Sequence, residues 1–249
     1  MIKLYLKYPY LPDRKINVAV IDGREKKLSN ILNRLGIKTV LTEKHNFLYE
    51  AISYHPDIIL HNAGDGDIVV APGLSSNFIS NLKSLNLNVV FGHNILCRNY
   101  PGNIAYNVAR LGNYAFHNLR YTDPVLRNIL EKKGVKFIDV RQGYTKCNIA
   151  IIDEYSFITS DMGIYKIATK NGFDCLLIEQ GDIRLEGFDY GFIGGASGLI
   201  SKDVFCITGD IKYHRNHRKI IDFLKYKNKE LIFLTSNQIK DIGSIIPLY

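Results

Sequence analysis

The feature that most restricts the fold is an order of elements that recurs along the chain: an apolar hairpin, a helix, then one more apolar strand. In one copy, the strand-like runs Asp57–His61 and Asp67–Ala71 flank the turn-rich Ala63-Gly64-Asp65-Gly66. Pro72-Gly73 then opens a helix carrying Phe78, Ile79, Leu82 and Leu85, and Asn88–Phe91 closes the copy. The next copy pairs Ile104–Ala109 with Tyr114–His117 across Leu111-Gly112-Asn113 and sets Asp123 before Pro124, an N-cap followed by proline at the first helical position. Gly134 stops that helix, and Val135–Val140 is its closing strand. A further copy reads Ile149–Ile152, Phe157–Thr159, a helix from Ser160-Asp161 to Gly172, and Cys175–Ile178. The last runs Tyr190–Ile193, a glycine-rich link, Val204–Thr208, a helix from about His214, and Leu231–Leu234.

The first copy is incomplete, with one strand, Asn17–Ile21, before the Arg24–Leu35 helix and the Lys38–Leu41 strand. Gly243–Leu248 is a lone apolar strand at the other end, and pairing it with Asn17–Ile21 would close a ring and hide two sheet edges. The order therefore predicts an α/β fold of five ββα-type modules in one domain spanning residues 1–249. The strand-to-helix junctions near Ala71, Thr122, Ser160 and Gly209 have a loose period, so an open mixed α/β sheet is the alternative architecture. No GxGxxG opens a helix, which excludes a dinucleotide fingerprint, and no cofactor is expected.

Composition narrows the function classes. With 46% hydrophobic residues the chain can bury a substantial core. The N-terminal stretch from Met1 to Lys15 alternates apolar and polar residues and lacks the apolar core of a signal peptide. No apolar run approaches the roughly 18 residues of a membrane span. A cytoplasmic protein without membrane contact is expected. Cys97, Cys147, Cys175 and Cys206 form no CxxC pattern and are expected as reduced thiols, mostly packed in strands. The net charge of +8 raises nucleic-acid binding. The basic residues are spread along the chain, however, and the densest stretch, Lys212–Lys229, doubles as an amphipathic helix, so nucleic acid is not the favoured partner.

Three segments carry a resemblance: Tyr100-Pro101-Gly102-Asn103-Ile104 leading to Leu111-Gly112-Asn113, then Gly143-Tyr144-Thr145-Lys146-Cys147, then Lys240-Asp241-Ile242-Gly243-Ser244-Ile245-Ile246-Pro247. In their order along the chain these resemble the guanidino-group-modifying enzymes, the pentein superfamily that includes arginine deiminases and dimethylarginine dimethylaminohydrolases. The chain also resembles an uncharacterised domain family assigned to that fold. The resemblance implies a five-module pentein α/β-propeller. It also implies a chemistry in which a thiolate attacks the guanidinium carbon, a histidine moves the proton and carboxylates hold the cation. Carried over, the nucleophile position falls at Ile246, Pro247 or nearby Ser244, the histidine at Tyr144 or Thr145, and the turn carboxylate at Asn103. None of the three keeps the enzymes' residue.

Other polar groups have two readings each. Gly194–Gly198 is a hairpin loop or, with Ser197, an anion cradle. Asp210, His214 and His217 share a helix face, but an Asp cap and solvated histidines explain them without a metal, and no metal site is assigned. Asp65, Asp182 and Glu186 would gather near the axis of a propeller or simply satisfy local turns. The favoured reading is a non-catalytic or divergent protein binding a small polar ligand, amino-acid or guanidine-like, in the axial pocket, with Asp65, Asn103, Tyr144, Lys146, Asp182, Glu186 and Ser197 as candidate contacts. A guanidine-modifying hydrolase or transferase with Cys147 or Ser244 as relocated nucleophile is the second. The third is a non-enzymatic module binding RNA or the ribosome, as a pentein-type translation factor does.

Overall fold

A computed structural model describes residues 5–249; the first residues of the alternating N-terminal stretch, 1–4, lie outside them. The chain forms β1 (Val18–Ile21), α1 (Lys26–Arg34) and β2 (Lys38–Leu41), then α2 (Pro56–Ile59), β3 (Leu60–Gly64), β4 (Asp67–Val70), α3 (Ser76–Ser84) and β5 (Asn88–Phe91). Next come β6 (Ala109–Leu111), β7 (Tyr114–His117), α4 (Pro124–Lys132) and β8 (Lys136–Asp139), followed by α5 (Thr145–Asn148), β9 (Ala150–Ile151), β10 (Ser156–Thr159), α6 (Met162–Lys170) and β11 (Asp174–Leu177). The last elements are β12 (Ser197–Leu199), β13 (Val204–Ile207), α7 (His217–Tyr226), β14 (Glu230–Phe233) and β15 (Ile246–Pro247).

These strands make five separate three-stranded sheets: β15-β1-β2, β3-β4-β5, β6-β7-β8, β9-β10-β11 and β12-β13-β14. Each sheet joins an antiparallel pair to a parallel one, the parallel strand arriving through a nine- or ten-residue helix. The middle strands, such as Val18–Ile21 and Ser156–Thr159, are buried along their whole length, whereas outer strands such as Asn88–Phe91 expose both ends. That difference explains why the middle strands read as unbroken apolar runs. The strand missing from the first sheet comes from the far end of the chain, with Ala19 opposite Pro247 and Val20 opposite Ile246.

The five long helices stop in the same way. The second residue past each helix takes a left-handed conformation: Gly36, Asn86, Gly134, Gly172 and Asn228, with φ between 53° and 82°. Glycine accepts this without steric cost, and asparagine is the side chain that most readily replaces it. In α1 the next amide, Ile37 N–H, bonds back to Leu32 O, and Val135, Phe173 and Lys229 close α4, α6 and α7 alike.

The register of the first strand differs from the sequence reading in several sheets. Asp57–Ile59 is helical, in α2, and the strand begins only at Leu60. Ile104–Asn107 is likewise irregular, and the strand is Ala109–Leu111. The fifth sheet takes Ser197–Leu199 as its first strand in place of Tyr190–Ile193, and α7 starts at His217, after a short 3-10 turn at Ile211–Tyr213. The reason is common to all: a short apolar run does not distinguish a buried helical turn from a strand. Of the cysteines, Cys175 and Cys206 lie in strands, Cys147 in helix α5 and Cys97 in an exposed loop; all four are free thiols. Among the described residues no helix is long and apolar enough to cross a membrane.

Candidate functional site

The segment just ahead of the first strand in each sheet delivers a polar group to a common buried cluster. Asp57 precedes β3, Asn107 precedes β6, Lys146 and Cys147 precede β9, Gly194 precedes β12 and Ser244 precedes β15, each by two to four residues. Their hydrogen bonds form a cycle. The Ser244 hydroxyl lies 2.7 Å from Asp57 Oδ2 and 2.9 Å from Gly194 O. Lys146 Nζ donates to Ser244 Oγ at 2.9 Å and to Gly194 O at 3.3 Å. Asn107 Oδ1 accepts the backbone N–H groups of Lys146 and Cys147, and its amide donates to Asp57 O at 2.9 Å, which returns the cycle to its start. Every side chain in it is at most 4% exposed.

Local geometry fixes these positions. Thr145 Oγ1 sits 2.6 Å from Asn107 O and 2.8 Å from Phe116 O, which anchors the start of α5 to the neighbouring sheet. Ser244 has φ of +78°, an uncommon conformation for a residue with a side chain, and its N–H is held by Gly195 O at 2.7 Å. Gly195 is needed for close approach: a Cβ there would stand 2.0 Å from Asp241 Oδ1. Asp241 in turn accepts N–H bonds from Phe192 and Gly243. Its carboxyl faces His55 Nδ1 at 3.9 Å, and His55 Nε2 faces Asp22 Oδ2 at 4.0 Å. Asp22 pairs with Arg24 at 2.6 Å, which leads from the buried groups to the surface.

The electrostatics disfavour cysteine nucleophilic chemistry. Burial pushes the Cys147 thiol well above its ordinary range, and the Asp57 and Asp241 carboxylates add to the rise. The thiol is 3.2 Å from Asp57 Oδ2 and 3.1 Å from the Asn107 amide, and among the described residues no histidine bonds to it. Ser244 does have a lysine beside it, and burial lowers Lys146. The nearest acceptor for the serine proton is nevertheless the Asp57 carboxylate, so the hydroxyl bridges a cation and an anion. Asp57 Oδ1 and both ring nitrogens of His55 are buried without a hydrogen-bond partner.

Close to this cluster Tyr144, the N-cap of α5, donates its hydroxyl to Asn103 Oδ1 at 2.9 Å and meets Tyr49 OH at 3.5 Å. Burial raises both phenols, and the Cys147 thiol contributes to both shifts. Tyr49 and Tyr144 also line an open bowl of about 610 Å³ together with Tyr100, Phe188, Glu50, Glu186 and Arg98. The Tyr100 and Tyr144 rings are 5.7 Å apart, and those of Tyr49 and Phe188 are 5.3 Å apart. Arg98 is exposed and has no ion-pair partner among the described residues.

The candidates from the sequence thus divide. Lys146, Cys147 and Ser244 meet in the buried cluster, and Asn103, Tyr144 and Glu186 belong to or support the bowl. Asp65 is an exposed turn residue paired with Lys133 at 3.2 Å. Asp182 is held by Arg215 at 2.8 Å, whose hydrogen bond draws the carboxyl down to about 2. Ser197 is buried in β12 and bonds to Ile193 O, and the Gly195 and Ala196 N–H groups go to Cys147 O and to Phe192 O and Ile193 O. Asp210 bonds to the backbone N–H of Lys212, and His217 Nδ1 lies 3.0 Å from His214 O. The sequence reading missed Asp57, Asn107, Asp241 and His55. The signal that finds Asp57 and Asn107 is phase, a polar group just before the first strand of a repeat; His55 and Asp241 lie five residues ahead of their strands and carry no such signal.

Among curated proteins, none matches the chain in sequence. Solved structures do. An inosamine-phosphate amidinotransferase from Streptomyces griseus is 10% identical, with a TM-score of 0.59 over 96% of this chain and 94% of that one. A C. jejuni agmatine deiminase is 9% identical, with a TM-score of 0.57 over 97% of each chain. DDAH from Pseudomonas aeruginosa, in complex with citrulline, is 9% identical, with a TM-score of 0.57 over 94% of this chain and all of that one. At such identities the likeness concerns the fold, that of the guanidino-group-modifying enzymes. A family model spans residues 20–246, nearly the whole chain, and the protein therefore belongs to DUF6873, a family of unknown function.

Proposed function

We propose that this protein is a non-catalytic member of the pentein fold, a single domain whose five sheets close as an α/β-propeller, and that it binds a small cationic amino acid or guanidine in the Tyr49–Tyr144 bowl. The observation that carries this reading is the juxtaposition of an aromatic bowl, whose rim acids Glu50 and Glu186 pair with Lys44 and Arg184, with a buried cluster whose thiol is pushed up by burial and to which no histidine bonds among the described residues. The hydrogen-bond cycle through all five sheets supports closure, since each sheet contributes one group to it.

Four aromatic side chains within one bowl offer ring faces to a cation, each such contact contributing about 0.5–2 kcal/mol. The carboxylates of Asp57 and Asp241 add negative potential from the neighbouring cluster, and Tyr49 lies near enough to Asp241 for that charge to help raise its phenol. Arg98 supplies the opposite charge on the rim, suited to a ligand carboxylate. A zwitterion with a cationic side chain satisfies both ends.

Calorimetric titration with L-arginine and with agmatine, which lacks the carboxylate, tests this. Saturable binding of both is expected. Tyr144→Ala weakens each by about tenfold, the loss of roughly 1.4 kcal/mol of cation–π contact. Arg98→Ala weakens arginine alone. Absence of saturable heat with either compound would overturn the assignment.

A further inference from the structure

The Lys146 amine is buried and touches no carboxylate among the described residues. Its ammonium is held by the Ser244 hydroxyl at 2.9 Å and Gly194 O at 3.3 Å, and it stands 5.4 Å from the centre of the Tyr10 ring. Asp57 reaches it only through Ser244, whose oxygen is 2.7 Å from Asp57 Oδ2. A carbonyl, a hydroxyl, an aromatic face and a carboxylate one hydroxyl away are the groups that would hold a free alkylammonium ion. The surrounding void, lined by Tyr10, Ser197, Ile245 and Pro247, is about 10 Å³, too small to hold more than a single water. The side chain fills its site.

We propose that the centre of the fold is an ammonium-binding site whose resident occupant is Lys146, an internal ligand that closes this position to cations from outside. The physical reason is charge. Asp22, Asp57 and Asp241 are all buried, and a fold that gathers carboxylates must supply cations or leave the charge uncompensated in a low-dielectric interior. A tethered ammonium has a very high effective concentration at its site, so a free amine cannot displace it. Any external ligand is then confined to the bowl. Removal of the lysine stem beyond Cβ uncovers a vacant site with the shape of n-propylammonium.

The test is chemical rescue of Lys146→Ala. The folded fraction is followed by circular dichroism under partly denaturing urea, so that a variant unfolded without ligand still gives a reading. n-Propylammonium should raise the folded-to-unfolded ratio in proportion to one plus its concentration over its dissociation constant, about elevenfold at ten times that constant. 1-Propanol, equal in length but uncharged, should not, and neither compound should affect the wild type or Lys146→Met, which keeps the stem and lacks the charge. The exposed bowl variant Arg98→Ala leaves this readout unchanged, so failure here is separable from failure of ligand binding in the bowl. No rescue of Lys146→Ala by the amine, or equal rescue by the alcohol, would overturn the proposal.

Discussion

Asp57→Ala is expected to destabilise the protein by about 3–5 kcal/mol, the usual cost of removing one partner from a buried charged network. The carboxylate takes the Ser244 hydroxyl and the Cys147 thiol on Oδ2, and through Ser244 it balances Lys146. Its removal leaves a buried ammonium with only a carbonyl, a hydroxyl and a ring face. Asp57→Asn keeps the shape and a hydrogen-bonding oxygen and loses the charge, so it should fall between wild type and alanine. In a chain of this length about 2–4 °C of melting temperature accompanies each kcal/mol, and the alanine variant should melt roughly 6–20 °C lower. A double variant, Asp57→Asn with Lys146→Met, removes both charges and should recover part of the loss. Additive losses in the pair would mean that the two groups do not communicate.

Acid should weaken the fold well above the pH at which ordinary carboxylates titrate. His61 and His117 are both fully buried. Burial, with Arg110 next in effect, draws His61 down to about 3, and burial draws His117 down to about 4. The rings meet neutral groups: His117 Nδ1 lies 2.7 Å from Thr122 Oγ1 and Nε2 3.0 Å from Ile104 O, while His61 Nδ1 lies 3.5 Å from the Tyr10 hydroxyl and Nε2 has no hydrogen-bond partner. In the unfolded chain each takes a proton near pH 6.5, which the folded state refuses until much lower pH. Below 6.5 the unfolded state therefore binds more protons, and stability falls as pH falls, by about 1.4 kcal/mol per group per pH unit. Between pH 7 and pH 5 the two together remove about 4 kcal/mol. Urea denaturation at pH 7, 6 and 5 measures this directly. His61→Gln should remove its own share of the slope, about 1.4 kcal/mol per pH unit, leaving those of His117 and the buried His214, and a stability independent of pH in that range would refute the assignment.

The repeat was legible because middle strands buried on both faces are largely apolar, and because helices ending at Gly36, Gly134 and Gly172 announce themselves. Two helix ends were less visible, since Asn86 and Asn228 take the glycine role. The pairing of the two ends of the chain was readable from the lone strand left at each. The one-turn helices α2 and α5 were not, because Pro56-Asp57-Ile58-Ile59 and the residues around Cys147 look like strand entries. That error concealed the site: with α2 read as strand, Asp57 becomes an ordinary strand residue in place of an inward-facing carboxylate. Asp65 and Asp182 attracted attention as turn acids, yet each is held locally by a surface cation, Lys133 or Arg215. Charge in a turn is common. A polar residue at the same phase of four repeats out of five, with the Gly194 carbonyl in the fifth, is not, and no composition measure registers it.

On the proposed function, this fold serves binding, and the buried cluster of Asp57, Lys146, Cys147 and Ser244 performs no chemistry on the ligand. The direct measurement is to incubate the wild-type protein with L-arginine, agmatine and methylated arginine, each with and without glycine as an acceptor amine, and to quantify citrulline, N-carbamoylputrescine, ornithine, amidinated glycine and released ammonia or methylamine. The expected result is binding of the cationic ligands with no product above the protein-free control and no covalent adduct on Cys147 or Ser244. Product that accumulates with the wild type and disappears in Cys147→Ala or Ser244→Ala would contradict it.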